Sequence, residues 1–198
     1  MSDEATQQGD EADERRALGA RSLSPVFDGQ AEVMTSSRKQ EALELFAAIQ
    51  AEFPRLRMNV DMTDPHVDVS VEIPRQVGLG FDVHLNLQND DELHLAAGEA
   101  FWSSWFPSSD REVRARYRHA VAGLLAGRNR IVEYRRWGKA VVADLQAPGA
   151  RGWETIAHSM HGLLPVTWGA RRSILRNDEA VEQADAADEA QGGTRTAS

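Results

Sequence analysis

The sequence predicts an α+β fold, in which one antiparallel sheet, made of a four-strand meander and a later hairpin, carries about three helices on its apolar face. Three observations lead to this prediction. Apolar residues fall on every second position between residues 55 and 97, which is the period of half-buried strands. Flanking segments space their apolar residues as helices do. The connections between strands are too short to join parallel neighbours. The predicted order is αββββαββα.

The first helix is predicted to begin at Ser37, because Ser37 and Gln40 have the spacing of a capping box. Phe46 and Ile49 lie on one side of this helix at a spacing close to 3.6 residues. Pro54 then ends it, since proline cannot continue the hydrogen-bond pattern of a helix.

The four strands of the meander all alternate apolar and polar residues. Their apolar positions run from Leu56 to Met62, Val67 to Ile73, Phe81 to Leu87 and Leu93 to Ala97. Matching the apolar faces of the first two strands predicts that Val60 lies near Val69 and Asp61 opposite Asp68. In that register, Arg57 faces Glu72.

An aromatic segment from Phe101 to Phe106 follows the meander. We interpret it as a fifth strand or a tight connection that fills the core, because large aromatic residues at such junctions are usually buried. The alternative is an exposed aromatic platform for a ligand or a partner.

The second half is predicted to contain a helix, a hairpin and a final helix. The middle helix begins at a capping box formed by Ser109 and Glu112, and Gly127 ends it. The hairpin joins residues 130–135 to residues 139–146. Apolar spacing from Trp153 to Leu164 then predicts a short helix, with one last helical turn through Leu175.

The two ends of the chain carry most of its net charge of −9. Residues 1–36 hold three Arg against eight acidic residues, and residues 177–198 hold one Arg against six. Both ends are poor in apolar residues, so we expect two disordered acidic tails around one domain over residues 37–176. Within that domain, residues 37–99 are acidic and residues 100–176 are basic, which predicts a dipolar body.

Composition also excludes several classes of protein. The chain has no cysteine, which excludes disulfides and disfavours a structural zinc module. No apolar stretch is long enough to span a membrane, and the first residues do not resemble an export signal, so we expect a cytoplasmic protein without membrane association. The sequence lacks the usual dinucleotide, phosphate-loop and nucleophile-elbow motifs. We therefore predict no cofactor, no metal and no catalytic residue.

The polar face of the meander is the first candidate site. Asp68, Asp82, His84 and His94 all belong to this face, and carboxylates beside imidazoles suit acid–base chemistry, a small ligand or a metal ion. The alternative is an ordinary solvated sheet face, which also carries mixed charges.

The Arg-rich half is the second candidate site. Its predicted partner-binding residues are Arg111, Arg114, Arg118, Arg135 and Trp137. Clustered Arg with aromatic residues can bind nucleic acid, but the whole chain is acidic. An ordinary charged helix face, or a patch that meets an acidic protein partner, is the better interpretation.

The predicted order over about residues 37–164 is similar to that of small bacterial secretion-chaperone-like domains, which run helix, three strands, helix, two strands, helix. This chain has one strand more. The resemblance implies a module that binds protein segments. Accordingly, we predict a non-enzymatic protein-interaction module, of accessory, chaperone-like or inhibitor type, that binds another protein or a second copy of itself through a sheet edge or the polar face. The alternatives are a small-molecule or metal-binding domain, possibly hydrolytic, on the polar face, and a weak nucleic-acid binder.

Overall fold

The computed structural model describes residues 28–161 and 169–178. The chain forms two compact units, Met1–Met34 and Thr35–Ser198. The described part of the first unit is the helical backbone from Asp28 onward. The second unit contains both sheets. No helix within the described ranges is long and apolar enough to cross a membrane.

Two helices and nine strands make up the described structure. In chain order they are α1 (Asp28–Glu52), β1 (Asn59–Asp61), β2 (Val69–Ile73), β3 (Val83–Gln88), β4 (Glu92–Ala97), β5 (Phe101–Trp105), α2 (Arg111–Leu125), β6 (Arg130–Arg136), β7 (Lys139–Gly149), β8 (Gly152–Met160) and β9 (Arg171–Leu175). The first sheet has the order β1-β2-β3-β4-β5, and the second has the order β8-β7-β6-β9. All pairings are antiparallel. The α+β class is confirmed, but the predicted single sheet is divided into two.

Both helices contribute to one core with the inner face of the first sheet. Phe46 and Ile49 of α1 and Tyr117 and Leu124 of α2 are buried in this core with the apolar residues of β2 to β5. The second sheet contributes Ile131, Ala143 and Leu145 to the same core. The apolar alternation of the predicted meander therefore identifies the buried face correctly.

The first predicted strand is only partly correct. Within residues 55–62, only Asn59–Asp61 pair with β2, at the edge of the sheet, and all three are exposed. Val60 lies opposite Val71, so the predicted register is wrong by two residues. A shift of two leaves every side chain on the same face, and the apolar pattern cannot distinguish the two registers. Asp61 accordingly faces Ser70, not a second carboxylate.

The aromatic segment forms β5, the edge strand that extends the meander to five strands. Phe101 is buried and Trp105 packs against the core, as we expected for a strand that fills the interior. Trp102 and Phe106 are instead exposed. The segment is thus a strand that fills the core with only some of its aromatic residues, because alternate residues of a strand point to opposite faces.

Both predicted helix starts are wrong. Helix α1 begins at Asp28, so Ser37 lies inside it; the Gln, Ala, Glu and Met residues among positions 29–36 favour helix. Helix α2 is capped by Asp110, whose Oδ1 accepts hydrogen bonds from the backbone N–H groups of Glu112 and Val113 at 2.6 and 3.3 Å. Aspartate is as good a cap as serine. Gly127 follows α2 with φ of 71°, as predicted.

The third predicted helix is wrong, because residues 152–160 form β8. Leu145 pairs with Ala157 and Gln146 with Thr155, so Ile156 is an extra residue in the strand. This bulge interrupts the period of two. The apolar residues around it then fall at a spacing that imitates a helix. The predicted last helical turn is also a strand, β9.

Side chains of β8 and of His161, which follows it, join the two sheets at the edge of the first. Ser159 accepts a hydrogen bond from the backbone N–H of Trp102 and donates one to the carbonyl of Ala100, each at 3.3 Å. His161 Nε2 also contacts the Ala100 carbonyl. An unpaired edge exposes backbone groups that attract other strands, and these side chains occupy part of that edge.

Asn177 fixes the chain directly after β9. Its side chain is buried, accepts a hydrogen bond from the backbone N–H of Gly80 at 2.9 Å and donates one to the carbonyl of Leu124 at 3.0 Å. One residue thereby connects the loop before β3 with the end of α2. The predicted C-terminal tail begins at Asn177, but Asn177 itself is held by these contacts. The rest of the predicted tail, residues 179–198, lies outside the described range.

Replacing Asn177 with Ala is expected to lower the free energy of unfolding by about 2 kcal/mol, because it leaves the Gly80 N–H without its partner and removes one of the hydrogen bonds to the Leu124 carbonyl. The measurement is urea unfolding of the full chain. Asn59→Ala in the exposed strand β1 is the matched control, and its effect should stay within about 0.5 kcal/mol. Equal effects of the two substitutions would contradict the anchoring role.

Candidate functional site

The outer face of the second sheet is the candidate site, and strand register defines it. Directly opposed residues of antiparallel strands point to the same side. One row across the sheet contains Met160, Val142, Tyr134 and Arg172; the next contains His158, Asp144, Val132 and Ile174; the third contains Thr155, Gln146 and Arg130. The opposite face carries Ile131 and Leu145, which are buried in the core. These three rows therefore point away from that cluster of core residues, although Val132 and Val142 at their centre are themselves buried.

Several arginine and aromatic side chains belong to this face. We call Arg130, Tyr134, Trp153, Arg172 and Arg176 the basic–aromatic cluster. The guanidinium carbon of Arg130 lies 3.9 Å from the centre of the Trp153 ring, and that of Arg176 lies 5.7 Å from it. Trp153 thus has cations near its ring, an arrangement that favours cation–π attraction. Arg176 also donates to the carbonyl of Gly127 at 2.6 Å.

Two arginines of this cluster, Arg130 and Arg172, form no ion pair with a carboxylate among the described residues. Arg130 donates to the neutral amide oxygen of Gln146 at 3.1 and 3.0 Å. Burial, and then the positive charges of Arg172 and Arg176, lower the pKa of Arg130 from its ordinary value. Asp144 is the only carboxylate in the three rows, and it lies 2.6 Å from Nδ1 of His158. The cluster is therefore a site of positive potential suited to an anionic ligand.

Apolar side chains are exposed on the same face. Ile174 and Met160 are each 49% exposed, and Trp153 is 37% exposed. Exposed apolar residues beside a charged cluster are typical of a binding surface. The face can therefore offer both charge attraction and apolar contact.

Most of the arginines predicted to bind a partner are instead engaged within the domain. Arg114 pairs with Glu41 at 2.7 Å, and Arg118 pairs with Glu52. Arg135 lies 2.6 Å from Glu133 and 2.8 Å from Glu99, and its hydrogen bonds to Glu99 and then Glu133 raise the pKa of Arg135. These pairs connect α2 to α1 and β6 to the turn before β5.

The other two predicted partner-binding residues lie on separate surfaces. Arg111 is exposed in the first turn of α2. Trp137 is 88% exposed at the β6–β7 hairpin, where the Arg136 guanidinium lies 4.3 Å from its ring centre. The five predicted residues thus lie on α2, on β6 and at the β6–β7 turn.

The structure places the four predicted ligand-binding residues apart on the first sheet. The Asp68 carboxylate accepts a hydrogen bond from the backbone N–H of Asp90 at 3.0 Å. The Asp82 carboxylate accepts one from the backbone N–H of Arg75 at 2.5 Å. Both carboxylates thus stabilise turns. His84 is exposed and lies opposite Glu72 and Ala96. Within the described ranges, no three His, Asp or Glu side chains are grouped so that they could hold a metal ion.

His94 is the unusual member of this set, because it is only 2% exposed although it lies on the polar face. Trp102 stacks beside it, with ring centres 4.9 Å apart, and Glu92 lies 3.2 Å from its Nε2. Its Nδ1 and the Oδ1 atom of the opposed Asn86 are buried without a hydrogen-bond partner. Burial lowers the pKa of His94, and the hydrogen bond to Glu92 opposes this shift.

The basic–aromatic cluster was missed because its strands were not recognised. Trp153, Arg172 and Arg176 were assigned to predicted helical segments or to loops. Correct strand assignments for β8 and β9 would have placed Trp153 and Arg172 on the same sheet face as Arg130. The available signal was the β-branched and aromatic composition of residues 153–156.

The stability of the domain is expected to depend on pH through His94. Because burial keeps its folded-state pKa below 6.5, the unfolded chain binds a proton first as the pH falls, and the free energy of unfolding then decreases. The decrease begins near pH 6.5 and reaches at most about 1.4 kcal/mol per pH unit for one proton. Urea unfolding of wild type and His94→Gln between pH 8 and pH 5 measures it.

The comparison variant is His84→Gln, which removes an exposed histidine from the neighbouring strand. Its pH dependence should equal that of the wild type, whereas His94→Gln should show a smaller decrease. Identical slopes for all three proteins would contradict the assignment to His94.

Comparison with protein-family models, with curated proteins and with solved structures finds no match for this chain.

Proposed function

We propose that this chain is a non-enzymatic protein-interaction module, and that the outer face of its second sheet binds an acidic polypeptide segment with aromatic or aliphatic side chains. The observation that carries the proposal is the basic–aromatic cluster beside exposed apolar residues. Among the described residues, Arg130 and Arg172 form no ion pair with a carboxylate. A ligand carboxylate could therefore pair with them without first displacing one from the domain.

The mixture of side chains on this face favours a polypeptide over a nucleic acid. A nucleic-acid surface needs several cations along a phosphate backbone and is usually part of a basic protein. Here Ile174 is exposed two residues from Arg172 on β9, Met160 is exposed on β8, and the whole chain has a net charge of −9. Aliphatic side chains contribute little to binding phosphates but bury well against the apolar residues of a protein partner.

The position of β9 supports a specific mode of binding. Within the described ranges, β9 pairs only with β6, so it forms an edge of the second sheet. An extended segment could add to this edge through backbone hydrogen bonds, with alternate side chains on the outer face. There they would meet Arg172 and Ile174, which point outward from β9. Charge would guide the encounter, and the aromatic and aliphatic contacts would slow dissociation.

The proposal predicts that the random copolymer poly(Glu,Tyr) binds the full chain more tightly than polyglutamate does, because tyrosine can pack on Trp153 and Ile174. The combined variant Arg130→Gln/Arg172→Gln should bind poly(Glu,Tyr) at least about tenfold more weakly, since each charged hydrogen bond contributes roughly 1.5 kcal/mol or more. Fluorescence titration at fixed ionic strength measures both affinities.

The matched control is Arg111→Gln, which removes an exposed arginine from α2, away from this face. It should leave the affinity for poly(Glu,Tyr) unchanged. A single-stranded oligothymidylate of similar charge should bind less tightly than poly(Glu,Tyr). The proposal is wrong if the oligothymidylate binds more tightly than poly(Glu,Tyr) and the Arg130→Gln/Arg172→Gln variant no longer binds the oligothymidylate. In that case the face is a nucleic-acid site.

A second experiment identifies the natural partner. We expect the wild-type chain, purified gently from its own cytoplasm, to retain a polypeptide at fixed ratio, detected by mass measurement under native and then denaturing conditions. The Arg130→Gln/Arg172→Gln variant should lose the same polypeptide. Equal recovery with both proteins would show that another surface binds it.

A further inference from the structure

A separate cleft of about 620 Å³ lies between β5, α2 and β8. Its lining consists of Ser104, Trp105, Phe106, Val113, Ala115, Arg116, His119, Ala120 and Ile156. Six of these nine residues are apolar, and the volume is within the usual range for small-molecule sites, about 300–1,000 Å³. Phe106 and Ile156, which are 64% and 42% exposed, give the cleft an accessible apolar wall.

The bulge in β8 directs one side chain into this cleft. Thr155 pairs with Gln146 and lies on the outer face, while Ala157 packs against the core. Ile156 between them has no partner residue in β7 and lines the cleft instead. Bulges commonly redirect a side chain next to a functional site.

The polar groups of the cleft are arranged for one anionic group. Arg116 and His119 are three residues apart on α2, so they lie on the same side of the helix, and both line the cleft. No carboxylate of the described ranges contributes to the lining. Arg116 forms no ion pair with a carboxylate in the described part of the chain, so its guanidinium is available to a ligand. A guanidinium fork matches the two oxygens of a carboxylate.

We propose that this cleft binds a small aliphatic monocarboxylate. Its hydrocarbon chain would lie against Trp105, Phe106 and Ile156, and its carboxylate would accept hydrogen bonds from Arg116 and His119. The long apolar wall and the single cationic end exclude a highly charged ligand such as a polyphosphate, which would need several cations or backbone donors. This site is independent of the proposed polypeptide-binding face, because none of the basic–aromatic cluster lines it.

Decanoate and decanol, each below the concentration at which micelles form, test the proposal on the full chain. We expect both to shift the indole N–H resonance of Trp105 in a heteronuclear magnetic resonance titration, with decanoate binding about tenfold more tightly. The variant Arg116→Gln should weaken decanoate binding by about five- to tenfold and leave decanol binding unchanged. Ile156→Ser should weaken both ligands by about threefold or more.

Two controls separate this site from the outer face. Arg111→Gln changes another exposed arginine of α2, and Arg130→Gln changes the basic–aromatic cluster; neither should alter the affinity for decanoate. The proposal is overturned if decanoate causes no saturable shift at Trp105, if decanol binds as tightly as decanoate, or if Arg116→Gln has no effect while folding is retained. None of these outcomes bears on poly(Glu,Tyr) binding, so the two proposals can fail separately.

Discussion

Tyr117 is the residue through which the helices and the first sheet are held together. It is completely buried in α2, its ring contacts Phe46 of α1 and Trp105 of β5, and its hydroxyl donates to the carbonyl of His94 at 2.9 Å. Burial raises its pKa well above 10, so the hydroxyl remains a donor at neutral pH. A buried phenol requires such a partner. This hydrogen bond therefore adds a directional contact with β4 to the apolar packing that holds α2 and the cleft beside it in place.

The second sheet is attached to this body mainly along its inner face and at the contact between β5 and β8. Ile131 and Leu145 anchor the inner face in the core, while Ser159 satisfies backbone groups of the β5 edge. Arg135 adds an ionic contact between β6 and Glu99. The outer face combines buried Val132 and Val142 at its centre with exposed residues such as Ile174 and Met160. Strands fixed in this way are rigid supports for binding residues.

The sequence predicts the elements with regular periodicity and fails where the period is interrupted. Strands β2 to β4, helix α2 and the β6–β7 hairpin follow from alternation, helical spacing and turn residues. The bulge at Ile156 hides β8, and a register shift of two at β1 is invisible to alternation. The candidate sites depend on contacts between distant segments. Arg130 could be recognised as a residue of the candidate site only once the fold had shown that Trp153 and Arg172 share its sheet face.

Asn177 also determines where the chain can be shortened. Strand β9 supplies Arg172 and Ile174 to the outer face. The end of the strand is fixed by the buried side chain of Asn177, which follows β9 and forms hydrogen bonds with Gly80 and Leu124. Removal of residues after Asp178 leaves this attachment intact, whereas a truncation at Leu175 would release it and weaken an entire sheet edge. Fusion partners or affinity tags at the C-terminus therefore need a linker that begins beyond Asp178.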